Sequence, residues 1–251
     1  MGGDAPRRIY RNPPIVEAVC TFSFASDSHW NVTVPGRFYE LVRDSYPEEP
    51  EERSVMQANF NLGQDAPVEQ VSLGSVGSRV AFRNKSQILT VAPRNLGIHA
   101  LAPYEGWDVF RKRCLEALDA YTSVIGEAEI AGIGLRYVNR VILPGTTVNL
   151  SEYFTIAQGL PADGFPGKLT TFFDRMEVSY EDVPASIAFT WASDDKVADR
   201  AAFIMDFDLQ WRGEIGHSDV PSFLDELRER ERIAFESLIQ DKLRGVFDAS
   251  D

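Results

Sequence analysis

Asp206 and Asp208 stand two residues apart in 201–212, a run that alternates apolar and polar residues without a break. On a strand that spacing sends both carboxylates to one side, where oxygen ligands can hold a hard divalent cation, as in some Mg²⁺-dependent transferases. Alternation in any half-exposed strand also produces Asp-x-Asp, so a solvated or salt-bridged face is the simpler reading, and no Gly-rich phosphate loop accompanies the pair. A second set is Glu17 with Arg136 and Arg140, whose strands are expected to be neighbours. A carboxylate between two guanidiniums is well paired as a structural network, and the alternative is an anion-binding surface that grips a carboxylate or phosphate. Asn139 falls on the opposite face of the same strand. The third set is Trp191, Phe203, Phe207 and Trp211, which could line a ligand cavity between sheet and helix, with core packing the simpler fate.

Other chemistry is thinly represented. Cys20 and Cys114 are widely spaced and each lies in an apolar pattern, so both are expected to be inert core residues. His29, His99 and His217 are far from either in sequence, which offers no thiol–imidazole pairing along the chain. Paired-Cys and His-x-x-x-His zinc patterns are absent, as are Gly-x-Ser-x-Gly and a Gly-x-Gly-x-x-Gly after a strand. The expectation is a binding protein ahead of an enzyme, with no cofactor.

The elements that must position these residues follow from periodicity. Residues 15–24 alternate as a strand, with Val16, Ala18, Cys20, Phe22 and Phe24 on one face. A Pro35-Gly36 step leads into a short helical stripe over 37–45, ended by Pro47 and an acidic loop at 48–52. Strand-like stretches near 55–62, 68–75 and 79–92 suggest a meander, with turns at Gly63, Gly74 and Gly77 and a further turn near Asn84. Residues 107–125 form the clearest helix, with Trp107, Phe110, Cys114, Leu118, Tyr121 and Ile125 on one stripe and Gly126 as its stop. A strand resumes over 130–143. A short helical pattern at 150–158, a Gly and Pro loop at 159–167, and strands near 168–180, 186–191 and 201–212 follow. A long helix starts near Asp219 and Pro221 and runs towards Phe247.

Each half thus reads as strand, short helix, three strands, long helix. This predicts an α+β fold of two tandem units, 12–128 and 129–251, forming antiparallel sheet covered by helices in one two-lobed body. The opening strands are expected to lie side by side.

Charge and composition narrow the partners. The chain has 251 residues, 44% of them hydrophobic, and 25 Lys and Arg against 38 Asp and Glu give a net charge of −13. Such a surface repels phosphate backbones and anionic lipid, and the dense basic run Arg111-Lys112-Arg113 reads as the solvated face of a helix. No apolar run approaches the ~20 residues of a bilayer crossing, and Met1–Tyr10 leads into no signal-peptide pattern, so a cytoplasmic protein is expected. Another protein is the expected partner, a small-molecule ligand the alternative, and nucleic acid and membrane are not expected.

The Asn12-Pro13-Pro14-Ile15-Val16-Glu17-Ala18 opening, the Leu135-Arg136-Tyr137-Val138-Asn139-Arg140 strand and the terminal helix after an apolar-Asp-apolar-Asp strand resemble a sporadically distributed family of bacterial proteins of unknown function. The resemblance spans most of the chain and supplies no reaction. It implies an accessory or mobile-element gene, such as a defence or toxin-neutralising component. The terminal helix departs from the family pattern: Leu227-Arg228-Glu229-Arg230 stands where a His is expected after the first turn, so no role for that His carries over. The resulting expectation is a non-enzymatic protein-interaction or regulatory protein, with a small-molecule-binding domain second and a metal-dependent enzyme using Asp206 and Asp208 third.

Overall fold

The computed structural model describes residues 8–26, 29–59, 72–126, 128–156, 170–194 and 199–249, and the side chains of all of these except 53–59 and 72–78. The elements are β1 (Ile15–Phe24), α1 (Val34–Val42), β2 (Glu51–Asn59), β3 (Ser72–Asn84), β4 (Gln87–Ala92), β5 (Asn95–Leu101), α2 (Trp107–Ile125), β6 (Ile130–Leu143), β7 (Phe173–Ser179), β8 (Ala185–Ser193), β9 (Ala201–Ile215), α3 (Val220–Ser237) and α4 (Asp241–Asp248). The strands form one nine-stranded sheet in the order β2-β3-β4-β5-β1-β6-β9-β8-β7. Every neighbouring pair is antiparallel.

Period-two alternation decides which face is covered. Ala18, Cys20, Phe22 and Phe24 of β1 face Ala100, Ile98 and Leu96 of β5 on one side and Tyr137, Leu135 and Ile133 of β6 on the other. All of these are buried, and the row continues through Phe207, Leu209 and Trp211 of β9. The helices lie on this face, with α2 against β5 and α3 against β6 and β9. The other face carries Glu17, Arg136, Asp206 and their polar neighbours, and no helix of the described residues packs on it.

Several elements differ from expectation for identifiable reasons. β5 is an extra strand: its Leu96, Ile98 and Ala100 alternate with Gly97 and His99, which dilute the apolar signal. The turn expected near Asn84 does separate β3 from β4, whereas Gly74 and Gly77, where turns are also expected, lie inside β3 and pair with Gln57 and Val55 of β2. The expected turn at Gly63 and the loop at 159–167 lie outside the described residues, as do parts of the stretches near 55–62, 68–75, 150–158 and 168–180. Of the short helix expected over 150–158, a single 3-10 turn at Leu150–Glu152 is described. The terminal helix is two helices. Ile239 is buried and forms a backbone bridge with Phe154, and Gln240 N–H donates to Tyr153 O at 2.7 Å, so the chain turns extended between α3 and α4. Asp219 precedes α3 as expected but gives no side-chain cap. Gly126 does stop α2, at φ +83°, a left-handed conformation that suits glycine.

Candidate functional site

The Pro13-Pro14 step determines how the chain meets the sheet. Proline has no N–H to give a ladder, so it belongs at a strand start, and here Pro14 O accepts from Arg140 N–H at 2.8 Å. The pairing of β1 with β6 then slips between Ile15 and Glu17, a bulge that leaves Val16 O to accept from Ala102 N–H at 3.0 Å. Upstream, residues 8–12 lie along the two terminal helices. Asn12 donates from its backbone to Phe247 O at 2.8 Å and from Nδ2 to Ala249 O at 2.7 Å, closing the end of α4. Tyr10 donates its hydroxyl to Glu236 at 2.6 Å and packs edge-on against Phe247.

Between this segment, the turn leading into α2 and α3 lies an open cleft of about 570 Å³. Its apolar walls include Tyr10, Pro13, Pro14, Trp107 and Phe235, and Asn139 and the charged residues of α3 also face it. Trp107 is fixed by donating Nε1–H to Asp225 at 2.9 Å, and the same carboxylate oxygen takes Arg111 Nε–H at 2.9 Å. The basic run is therefore not a uniform solvated face: Arg111 ties α2 to α3 and Arg113 pairs with Glu105, leaving Lys112 exposed.

The inner part of the cleft holds a buried carboxylate. Val220, Leu224, Leu227, Glu231 and Phe235 form the buried stripe of α3, so Glu231 occupies an apolar position and is only 3% exposed. It pairs with Arg228, whose guanidinium lies 4.4 Å from the centre of the Tyr137 ring. Stacking on the ring and pairing with the carboxylate together stabilise a cation in this site. Tyr137 and Tyr104 share a hydroxyl hydrogen bond at 3.0 Å. Burial pushes the Tyr104 phenol up to about 12 against the lowering effect of that bond, and burial raises Tyr137 as well, so both hydroxyls stay protonated at neutral pH. Asn139 is 2% exposed and donates Nδ2–H to Met205 O at 3.2 Å. One turn further along α3, Arg232 forks Glu229 at 2.9 and 2.5 Å.

The residues singled out from sequence lie elsewhere. Glu17, Arg136 and Arg140 share the open face but do not form one cluster. Glu17 accepts from His99 at 2.9 Å, Arg136 forks Asp206 at 2.8 and 2.6 Å, and Arg140 pairs with Asp194 at 2.7 Å. The His99 hydrogen bond, opposed by burial and helped by the charge of Arg136, holds the Glu17 carboxyl below its usual range. The bond to Asp206 likewise raises Arg136. Asp206 thus presents both oxygens to a cation of the protein itself, and Asp208 accepts from Gln210 at 2.6 Å. No group of three or more His, Cys, Asp and Glu side chains with metal-binding geometry occurs among the described residues.

Trp191, Phe203, Phe207 and Trp211 are buried in the core and none lines the cleft. Trp191 packs on Phe172 at 4.6 Å and Phe154 at 5.2 Å, Phe203 on Phe154 at 5.8 Å, Phe207 on Phe189 at 4.9 Å, and Trp211 on Phe223 at 4.9 Å. Cys20 and Cys114 are buried free thiols as expected, though they are neighbours in space: burial and the hydrogen bond with Cys20 raise the Cys114 thiol well above its ordinary value. His217 pairs with Asp119 at 2.8 Å.

No protein-family model matches the chain, and no curated protein matches it.

Proposed function

We propose that this is a non-enzymatic regulatory binding protein whose recognising element is the cleft, and that the cleft takes a small amphiphilic molecule. The supporting observation is the convergence of two buried polar side chains, Asn139 and Glu231, on a concavity of about 570 Å³ walled by prolines and aromatics. Ligand sites combine this size with mostly apolar walls and a few well-placed polar groups. Glu231 and Arg228 are held by each other and by Tyr137, so they are ordered before any ligand arrives, which lowers the entropic cost of binding. The apolar body of the ligand would lie against Pro13, Pro14 and Trp107, with a polar end towards Asn139.

An accessory role in a bacterial defence or toxin-neutralising system agrees with the family resemblance, and the net charge of −13 favours a basic protein as the partner that reads cleft occupancy. The two-unit reading of the chain also belongs here. The sheet order has β1 and β6 at its centre, and in each half the remaining strands run outwards from last to first, which supports descent of 12–128 and 129–251 from one unit, the first carrying the additional strand.

Native mass spectrometry of gently purified protein tests the cleft reading. The expected spectrum carries an extra mass of about a few hundred daltons, the size such a cavity accommodates. That mass should disappear in Val109→Trp, which fills the cleft from an exposed position, and persist in Arg136→Ala on the far face of the sheet. A clean spectrum for the wild type, or an adduct indifferent to Val109→Trp, would remove the proposal.

A further inference from the structure

β7 ends the sheet, with β8 on one side and, among the described residues, no strand paired on the other. Exposed strand edges template pairing with further chains, and proteins usually blunt them with proline, lysine or a bulge. Proline, lysine and a bulge are all absent from Phe173-Asp174-Arg175-Met176-Glu177-Val178-Ser179, whose pairing with β8 runs without a slip; charged side chains are the other usual device, and Arg175 and Glu177 here are of opposite sign. The strand also leaves Phe173 71%, Val178 55% and Met176 42% exposed, three of the eight large exposed hydrophobics found among the described residues.

The ladder fixes which backbone groups face outwards. In an antiparallel pair, residues alternate between those that exchange both hydrogen bonds and those that exchange none. Tyr180 N–H donates to Ala185 O at 2.9 Å and Ser193 N–H to Phe172 O at 3.0 Å, which puts the even-numbered residues of β7 in bonded pairs with β8. The N–H and C=O groups of Phe173, Arg175, Glu177 and Ser179 therefore point away from the sheet.

We infer that β7 pairs antiparallel with β7 of a second copy of this chain about a two-fold axis at Met176, joining the two sheets edge to edge. In that register the outward-bonding residues meet one another: Arg175 lies opposite Glu177 of the second copy, Glu177 opposite its Arg175, and Phe173 opposite its Ser179. Charge complementarity is what selects this occupant and this register. Both cross-strand positions hold opposite charges on the same face, the arrangement that stabilises antiparallel pairs. On the helix-side face Met176 meets its own copy, and Val178 meets Asp174. The present partners of the two charged side chains, Thr190 for Arg175 and Ser186 for Glu177, are both at 3.3 Å, long enough to be exchanged readily. A two-fold contact of this kind closes on itself and leaves no new β7 edge.

Sedimentation of the full chain over a dilution series tests the pairing. The wild type should show a concentration-dependent species of twice the 28.1 kDa chain mass. Arg175→Glu and Glu177→Arg each set like charges opposite one another twice, and each should weaken the dimer by about tenfold or more. Mixing the two single variants should restore a dimer, because the paired carboxylates of the first variant then face the paired guanidiniums of the second. Glu177→Pro removes an outward N–H without touching the β8 ladder, so it should abolish the dimer with an unchanged circular dichroism spectrum. A wild type that stays monomeric, a dimer that survives Glu177→Pro, or single variants that do not recover on mixing would each overturn the inference.

Discussion

The two faces of the central strands use the same residue types and make different things of them. On the open face, Glu17 with His99, Arg136 with Asp206 and Arg140 with Asp194 form separate pairs, each with at least one partner in contact with water. On the covered face, Arg228 and Glu231 are held beneath α3 beside the buried Tyr137 and its half-buried partner Tyr104, and Asn139 is enclosed near them. Coulomb attraction differs between these settings because water reaches Arg136 and Arg140, at 46% and 37% side-chain exposure, more than it reaches Arg228 at 21%. A pair's position relative to the covering helix, more than its chemistry, therefore decides whether it can act as a prearranged site.

Removing one partner of the buried pair should have the largest effect. Glu231→Ala leaves Arg228 without its carboxylate beneath α3, and loss of one partner of a buried pair costs several kcal/mol; with Arg228 partly exposed, about 3 kcal/mol is expected in chemical denaturation. Should the loss match that of an exposed pair, the distinction between the faces would collapse. Asn139→Leu comes next, at about 1 to 2 kcal/mol, because Met205 O loses its side-chain donor while burial is kept. The same variant should release any cleft-bound mass in the native spectrum.

A double-mutant cycle on each face separates the two settings quantitatively. The coupling between Arg136 and Asp206 should be about 1 kcal/mol or less, since Arg136 is nearly half exposed, and should shrink as salt is raised. Coupling between Arg228 and Glu231, measured the same way, should be larger and almost insensitive to salt. Equal salt dependence in the two cycles would show that the cleft floor is solvated after all.

Much of the fold is legible in the residues, for reasons visible in particular elements. β1, α2 and β6 coincide with their expected spans because each carries an unbroken period of two or of three to four. β5 escapes the pattern because Gly97 and His99 interrupt its alternation, and the break between α3 and α4 escapes it because it depends on Phe154, over eighty residues away in sequence, bridging Ile239. The cleft is harder to read. A signal for Glu231 is present, since its spacing from Leu224, Leu227 and Phe235 places a carboxylate in an apolar stripe, and Asn139 is recognisably on the inward face. Their meeting with Pro13, Pro14 and Trp107 depends on β1 pairing with β6 and on α2 docking to α3 through Asp225, contacts that no local pattern encodes. Arg136 and Arg140 do share one face, but their partners Asp206 and Asp194 lie on or beside β9 and β8, so the expected grip on Glu17 does not form.

The smallest effect expected is the pH response of Glu17. Its folded carboxyl lies below the ordinary value of 4.5 because His99 donates to it, so folding favours the ionised form. A depressed carboxyl contributes stability that is present above the unfolded value and lost as pH falls through the folded one. Stability should therefore decline as pH drops from about 4.5 into the depressed range, by no more than about 1 kcal/mol from this partly exposed pair. Glu17→Gln should flatten that part of the profile and leave stability at neutral pH lower by a similar amount. The same variant carries its own control: Glu17→Gln acts on the open face, so it should leave a cleft-bound mass in place, and loss of that mass would mean that the two faces communicate through the bulge at Ile15–Glu17.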